Sequence, residues 1–193
     1  MNSSRNNPIH LLKKHEAART ILLIAVLVGG SYGGWTYLKF FLHTQYPILV
    51  VVSGSMIPTL NVGDLILIKG QHPASIMVGT IIIFHSPRDF DTLIVHRVIE
   101  KIDNGGTFFF RTKGDNNPVS DSWDPLPGVP QDYLVGVYVA RIPYLGVIVM
   151  KMREPAGMAI IALLIAAIVI LELVESRAKT RENEKRHHDQ EQS

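Results

Sequence analysis

The chain has 193 residues, 47% of them hydrophobic and 19% charged, with a formal net charge of +2 at pH 7. That length leaves room for one domain with accessory segments, and the complete lack of cysteine excludes disulfides, Cys-ligated zinc and thiol catalysis. The charge is unevenly spread: residues 43–154 carry nine Lys/Arg against ten Asp/Glu, which excludes the basic surface that nucleic-acid binding needs.

Residues 1–19 hold Arg5, Lys13, Lys14 and Arg19 and read as a cytoplasmic N-terminal segment. Thr20–Leu38 is a charge-free run of 19 residues, which as a helix would measure roughly 28 Å, close to a bilayer core of about 30 Å. It predicts a transmembrane helix over 20–42. A cleaved signal sequence would have a shorter apolar region and a small-x-small site after it, whereas the residues that follow here, "KFFLHTQYP", are bulky and aromatic.

Between this helix and residue 154 the pattern is short apolar runs separated by turn residues. Strands are predicted at Ile48–Val52, Leu65–Ile68, Thr80–Phe84, Leu93–Ile99, Thr107–Arg111, Leu134–Ala140 and Val147–Met150. Asn104-Gly105, between two such runs, is a hairpin signal. Residues 121–132, "DSWDPLPGVPQD", hold three prolines and read as a surface loop. A second charge-free run of 17 residues, Pro155–Leu171, predicts a transmembrane helix over 155–175, and the charged stretch 176–193 a cytoplasmic tail. Arg177, Lys179, Arg181, Lys185 and Arg186 lie beyond that second run, while Lys39, Lys151 and Arg153 are the only Lys/Arg beside the runs on the inner flanks. Positive-inside counting therefore predicts both termini in the cytoplasm and residues 43–154 outside.

Within this β-rich segment "VVVSGSMIPTL", residues 50–60, stands out. Three β-branched valines favour a strand, Ser53-Gly54-Ser55 releases the backbone, and Pro58 prevents simple continuation as a central strand. A hydroxyl is thus presented at the end of a rigid element, although an isolated Ser-Gly turn has an ordinary structural meaning too. A serine nucleophile requires a base to take its proton and donors to hold the oxyanion. His72 and His85 fall in or beside loops, whereas His96 lies inside the apolar strand "LIVHRVI", where a histidine is costly unless partnered. Carboxylates that could orient a histidine cluster at "KGDNNPVSD", with Asp115 and Asp121 six residues apart.

Taken in order, "SGSMIPTL", "GDLILIKG", "IVHRVI", "TKGDNNPVSD" and "ARIPYLGVIV" resemble the blocks of type I signal peptidases, in the branch of the endoplasmic reticulum and archaea, over about Pro47 to Met150. In the bacterial branch a lysine stands at the place of His96. The resemblance implies a mostly β fold: an antiparallel β catalytic domain of the signal peptidase type, flanked by N- and C-terminal transmembrane helices. It implies Ser55 as nucleophile, His96 as general base, and Asp121, with Asp115 as the less favoured choice, as orienting acid. The Ser55 backbone N–H, helped by the Ser53 hydroxyl, would form the oxyanion hole, and no metal or other cofactor is implied.

The implied function is a membrane-bound serine endopeptidase that removes signal peptides by cleavage after small residues. An extended substrate would add as a strand beside Ile48, Val50 and Val52 on one side and Leu93 and Val95 on the other. The partners expected are signal peptides of preproteins, a lipid membrane and the protein translocation channel, with no nucleic acid. The setting is the cell membrane, or the endoplasmic reticulum membrane in a eukaryote. Two rivals remain at this stage: a self-cleaving repressor-type protease, which uses a Ser-Lys pair and a DNA-binding head, and an inactive membrane-anchored peptide-binding module of the same fold. Asp115 sits in Gly114-Asp115-Asn116-Asn117, a run suited to an Asx-turn, so a structural duty is expected of it.

Overall fold

The computed structural model describes residues 8–191, with side chains described for 22–172, 174, 175, 177 and 178. The expected cytoplasmic segment 1–19 and charged tail 176–193 thus lie wholly or largely outside the described side chains. The described chain divides into two units, residues 34–151 and the helical residues 8–33 with 152–191.

The helical unit contains most of α1 (Pro8–Leu42) and α3 (Pro155–Glu191). Among the described residues one window, Pro155–Glu172 in α3, is long and apolar enough to cross a membrane, and none of it is buried within the chain. The apolar run expected to form the first span begins at Thr20, outside the described side chains. Helix α1 exposes Leu22, Ile24, Val26 and Leu27.

The other unit is built on one antiparallel sheet of seven strands in the order β1-β2-β7-β3-β4-β5-β6. The strands are β1 (Ile48–Val50), β2 (Leu65–Lys69), β3 (Ile81–Ser86), β4 (Asp89–Asn104), β5 (Thr107–Lys113), β6 (Val129–Pro130) and β7 (Leu134–Ile142). Alternation of apolar residues explains the central strand. In β3, Ile81 and Ile83 enter a cluster with Val51, Met56, Leu60, Ile66 and Ile68, while Ile82 and Phe84 enter another with Ile76, Val98, Phe110, Val129 and Val137. Successive side chains point to opposite faces, so a strand buried on both faces reads as a continuous Ile-Ile-Ile-Phe run.

The apolar runs expected as strands match β1–β5 and β7, with shifted ends. Val51 and Val52 fall beyond β1, although the Val51 N–H still donates to the Asp64 carbonyl. Strand β4 is 16 residues long and absorbs the polar residues on both sides of "LIVHRVI". The proline-rich stretch 121–132 is not all loop, because Val129–Pro130 pairs with Phe110 and Phe109 at one sheet edge.

One expectation is overturned. Val147–Met150 is not a strand but part of helix α2 (Leu145–Arg153). The Pro143–Tyr144 turn, with Tyr144 at φ 59, ends β7, and the chain re-enters as a helix whose Gly146 is buried beside Val50 and the Gly63 and Asp64 carbonyls. A short apolar run of this kind has no periodicity that separates strand from buried helix.

Asp64, fully buried, ties this corner together. Its carboxylate accepts from the Asn61 N–H at 2.9 Å, the Tyr144 N–H at 3.3 Å and Arg141 Nη1 at 2.8 Å. Burial alone would raise its pKa, but the two backbone donors and Arg141 outweigh that and hold it below the ordinary carboxylate value.

Gly70 marks another close approach: its N–H donates to the Leu42 carbonyl at 2.7 Å, and a Cβ there would overlap the His43 carbonyl oxygen. Gly70→Ala should therefore destabilise the domain by about 1–3 kcal/mol, the usual cost of overpacking where backbone must shift. A melting temperature equal to that of the wild type would show that the segment after α1 yields freely.

Candidate active site

Histidine 96 sits on β4 between Ile94 and Val98, two residues that share its face and pack in the second core cluster. It is 8% exposed. An imidazole so placed needs polar partners at both nitrogens. It has them: Nδ1 lies 2.6 Å from Asp121 Oδ2, and Nε2 lies 3.1 Å from Ser55 Oγ. An ionised carboxylate can only accept, so Nδ1 carries the proton toward Asp121 and Nε2 is left to accept from the Ser55 hydroxyl. The other histidines of residues 43–154 turn to local backbone instead. His43 Nδ1 meets the Phe41 carbonyl, His72 Nδ1 accepts from the Ala74 N–H, and His85 Nδ1 meets the Phe90 carbonyl with its ring stacked on Phe90.

Ser55 lies in the turn after β1, and that turn is held from outside. The Asn116 N–H donates to the Ser55 carbonyl at 2.8 Å, and Asn116 Nδ2 donates to the Gly54 carbonyl at 3.2 Å. Gly114 comes so close that a Cβ on it would stand 2.7 Å from the Ser55 carbonyl oxygen. Ser53 Oγ is 3.4 Å from Ser55 Oγ, so the two hydroxyls lie side by side at one end of the site.

The two aspartates of "KGDNNPVSD" part company. Asp121 faces His96 and also accepts from Thr112 Oγ1 at 2.6 Å, on the same oxygen, Oδ2. Asp115 faces Arg97, receiving Nε at 2.8 Å on Oδ1 and Nη2 at 2.7 Å on Oδ2, and accepts from Thr59 Oγ1 at 2.6 Å. This bidentate fork replaces the expected Asx-turn: the partners are side chains from β4 and from the segment after Ser55, brought in from 18 and 56 residues away. The hydrogen bond from Arg97 leads the causes that hold the Asp115 carboxyl below its ordinary range, and the same bond raises Arg97.

The residues expected to flank a substrate fall on two strand edges. Ile48 and Val50 are on β1, the terminal strand of the sheet, which pairs with β2 alone. Val52 lies past the strand and is 73% exposed. Leu93 and Val95 pair with His85 and Ile83 of β3, and the β4–β5 register begins only at Arg97, leaving both outside it. Sequence reasoning missed Thr112, Arg97, Thr59 and Asn116. Thr112 alone carries a signal that reading could have used, a polar residue at an inward position of the alternating strand "TFFFRTK". Among the described residues no group of three or more His, Asp or Glu side chains could hold a metal ion.

Since folding lowers the Asp115 pKa, its contribution to stability is complete above the ordinary carboxylate range and is lost as pH falls through the depressed folded value. Asp115→Asn should therefore lower the melting temperature at neutral pH, with the gap to wild type narrowing below about pH 4. A gap of constant size from neutral pH down to acid would show that the charge on Asp115 is not the source.

Comparison with known proteins agrees with this geometry. Residues 15–100 match the family model described as signal peptidase, peptidase S26. The chain is 31% identical over 174 residues to the "Signal peptidase complex catalytic subunit sec11" of Dictyostelium discoideum, covering 87% of this chain and 95% of that protein. It is also 31% identical over 177 residues to the SEC11 catalytic subunit of Fusarium vanettenii, covering 89% of this chain and 98% of the relative. A similar match, 31% over 177 residues, is found with the SEC11 subunit of Pyricularia oryzae. A histidine wired to a serine and a carboxylate, on a sheet whose sequence aligns nearly end to end with these subunits, leaves one assignment: the chain belongs to the signal peptidase family, peptidase S26, and is a serine endopeptidase.

Proposed function

We propose that this protein is the catalytic subunit that removes signal peptides from secreted and membrane preproteins, cutting after small residues, with Ser55 as nucleophile, His96 as general base and Asp121 as the acid that orients it. The observation that carries the reading is the unbroken line of polar contacts from Asp121 through His96 to Ser55. His96 Nε2 takes the hydroxyl proton as Ser55 Oγ attacks the scissile carbonyl carbon, and Asp121 stabilises the imidazolium without itself being protonated. The Ser55 N–H and the Ser53 hydroxyl hold the oxyanion. His96 then returns the proton to the leaving amine, leaving the signal peptide esterified to Ser55, and in the second half draws a proton from the water that hydrolyses this ester. Asp115 acts at one remove, by tying Arg97 and Thr59 into the frame around the site.

The substrate strand lies along β1 at Ile48, Val50 and Val52 and against Leu93 and Val95 of β4, where backbone groups outside existing ladders supply binding and shallow pockets supply the preference for small side chains. The protein crosses the membrane twice, over 20–42 and 155–175, with both termini cytoplasmic and residues 43–154 on the outer or lumenal side. The apolar window in α3 and the Lys/Arg asymmetry support this topology. A complex with other subunits, as the relatives' names describe for them, and proximity to the translocation channel complete the setting.

Incubation of the intact protein in detergent with a preprotein tests the chemistry. Ser55→Ala should leave no cleavage, and Asp121→Asn should lose about 10⁴ in kcat while still folding, the cost of presenting the wrong imidazole tautomer. Ser53→Ala should lower kcat by roughly tenfold to a thousandfold with KM little changed. His96→Ala should abolish cleavage, whereas His85→Ala should keep it. Full activity in Ser55→Ala would remove the reading altogether, and a dead, stable Asp115→Asn beside an active Asp121→Asn would move the acid role to Asp115. For topology, protease added outside sealed cells should digest residues 43–154 and spare a C-terminal tag; loss of the tag would refute two spans.

A further inference from the structure

The mechanism uses one oxygen of Asp121 for His96, but a second group holds that same oxygen. Thr112 Oγ1 donates to Asp121 Oδ2 at 2.6 Å, and the Asp121 N–H donates back to the Thr112 carbonyl at 2.9 Å. Thr112 is fully buried, on β5, and faces Val98 of β4 across the ladder, two residues from His96 on the same face. Packing alone does not call for a hydroxyl here. Its neighbour two residues back on that face of β5, Phe110, sits in the apolar cluster, and a valine has the same shape as threonine.

We propose that Thr112 is a positioning residue for the peptidase reaction: its hydroxyl fixes the Asp121 carboxylate in the orientation that meets His96 and shares the negative charge which His96 would otherwise satisfy alone. This rests on the triad reading above. Asp121 is held at the backbone by its own N–H and at the side chain by Thr112, with the same Oδ2 turned to Nδ1 of His96. A donor on a carboxylate also tempers the pull of that carboxylate on a neighbouring cation. Losing the hydroxyl leaves His96 facing a less satisfied carboxylate, so the imidazolium is held more tightly and surrenders its proton at higher pH. The other charged groups around His96 are Asp115 and the Arg97 guanidinium paired with it, and both stay in place in a Thr112 variant.

The test uses the intact protein in detergent and a fluorogenic peptide carrying an Ala-x-Ala cleavage site, with kcat and KM measured from pH 5 to pH 9. Thr112→Val should move the acid limb up by about half a pH unit or more, lower kcat by roughly tenfold and leave KM within about twofold. Thr112→Ser, which restores the hydroxyl, should return the limb to its wild-type position. Val129→Ala, a cavity in the second core cluster, controls for lost stability and should lower the melting temperature without moving the limb. A Thr112→Val limb that stays in place or moves down overturns the proposal, as does a Thr112→Ser limb displaced from that of the wild type. If Thr112→Val fails to fold, Thr112→Ala decides in its place: a limb moved up supports the proposal and an unmoved limb overturns it. Failure of the triad itself would register separately, as cleavage surviving in Ser55→Ala or His96→Ala.

Discussion

The site depends on a single imidazole that must be satisfied at both nitrogens inside a nearly dry strand. His96 touches a serine 41 residues before it and a carboxylate 25 residues after it, and neither neighbour lies on β4. Local structure cannot arrange that. The sheet order must set β4 between β3 and β5, the turn after β1 must bring Ser55 to it, and the loop from β5 to β6 must fold back over its other side. Removing either partner would leave a buried polar nitrogen unpaired, at a cost of about 1–3 kcal/mol, so the fold and the chemistry constrain the same atoms.

The loop after β5 does most of this arranging. Within eight residues it sends Asp115 to Arg97 and Thr59, Asn116 to the carbonyls of Gly54 and Ser55, and Asp121 to His96 and Thr112. Each contact ties the loop to a different part of the site: the flank of β4, the serine turn, and the imidazole. Charge is distributed accordingly. The Asp115 carboxylate, matched to a guanidinium in a bidentate pair, is held ionised and can serve as a rigid strut. The Asp121 carboxylate meets the Thr112 hydroxyl and the His96 imidazole instead, and under the proposed chemistry it is the one that answers a positive charge formed on His96. The same residue type thus does two jobs because its surroundings differ.

How much of this could be read from the residues follows from which signals are local. Short apolar runs bounded by turn residues marked most of the strands, and a turn dipeptide marked the hairpin at Asn104–Gly105. Ser55 and His96 were legible because each breaks a local rule, a hydroxyl in a constrained turn and an imidazole in an apolar strand. The helical run at Val147–Met150 was not legible, since four apolar residues fit either period and the turn before the helix is held by a distant contact, the Tyr144 N–H on the buried Asp64 carboxylate. The partner of Asp115 was equally hidden: its bond to Arg97 arises from the curvature of a loop, and Asx-turn chemistry was the only local alternative. Thr112 sat in plain view in β5, but a threonine in a strand is ordinary until its hydroxyl is found pointing at a carboxylate.

Under the proposed chemistry the base and its acid select one another. A lysine base must lose its proton near neutral pH although its ordinary pKa is about 10.4, so its site has to disfavour the ammonium by burial and by keeping anions away. A carboxylate at the position of Asp121, 2.6 Å from the base, would do the reverse and hold a lysine charged. Histidine starts near pKa 6.5, so it needs no such depression and gains from a carboxylate that fixes its tautomer and meets the imidazolium. In this chain His96 is buried on β4, and its Nδ1 meets the Asp121 carboxylate that fixes the tautomer. The histidine on β4 and the aspartate beyond β5 are therefore one choice rather than two, and exchanging His96 for lysine without removing the carboxylate would yield a cation locked in an ion pair instead of a base.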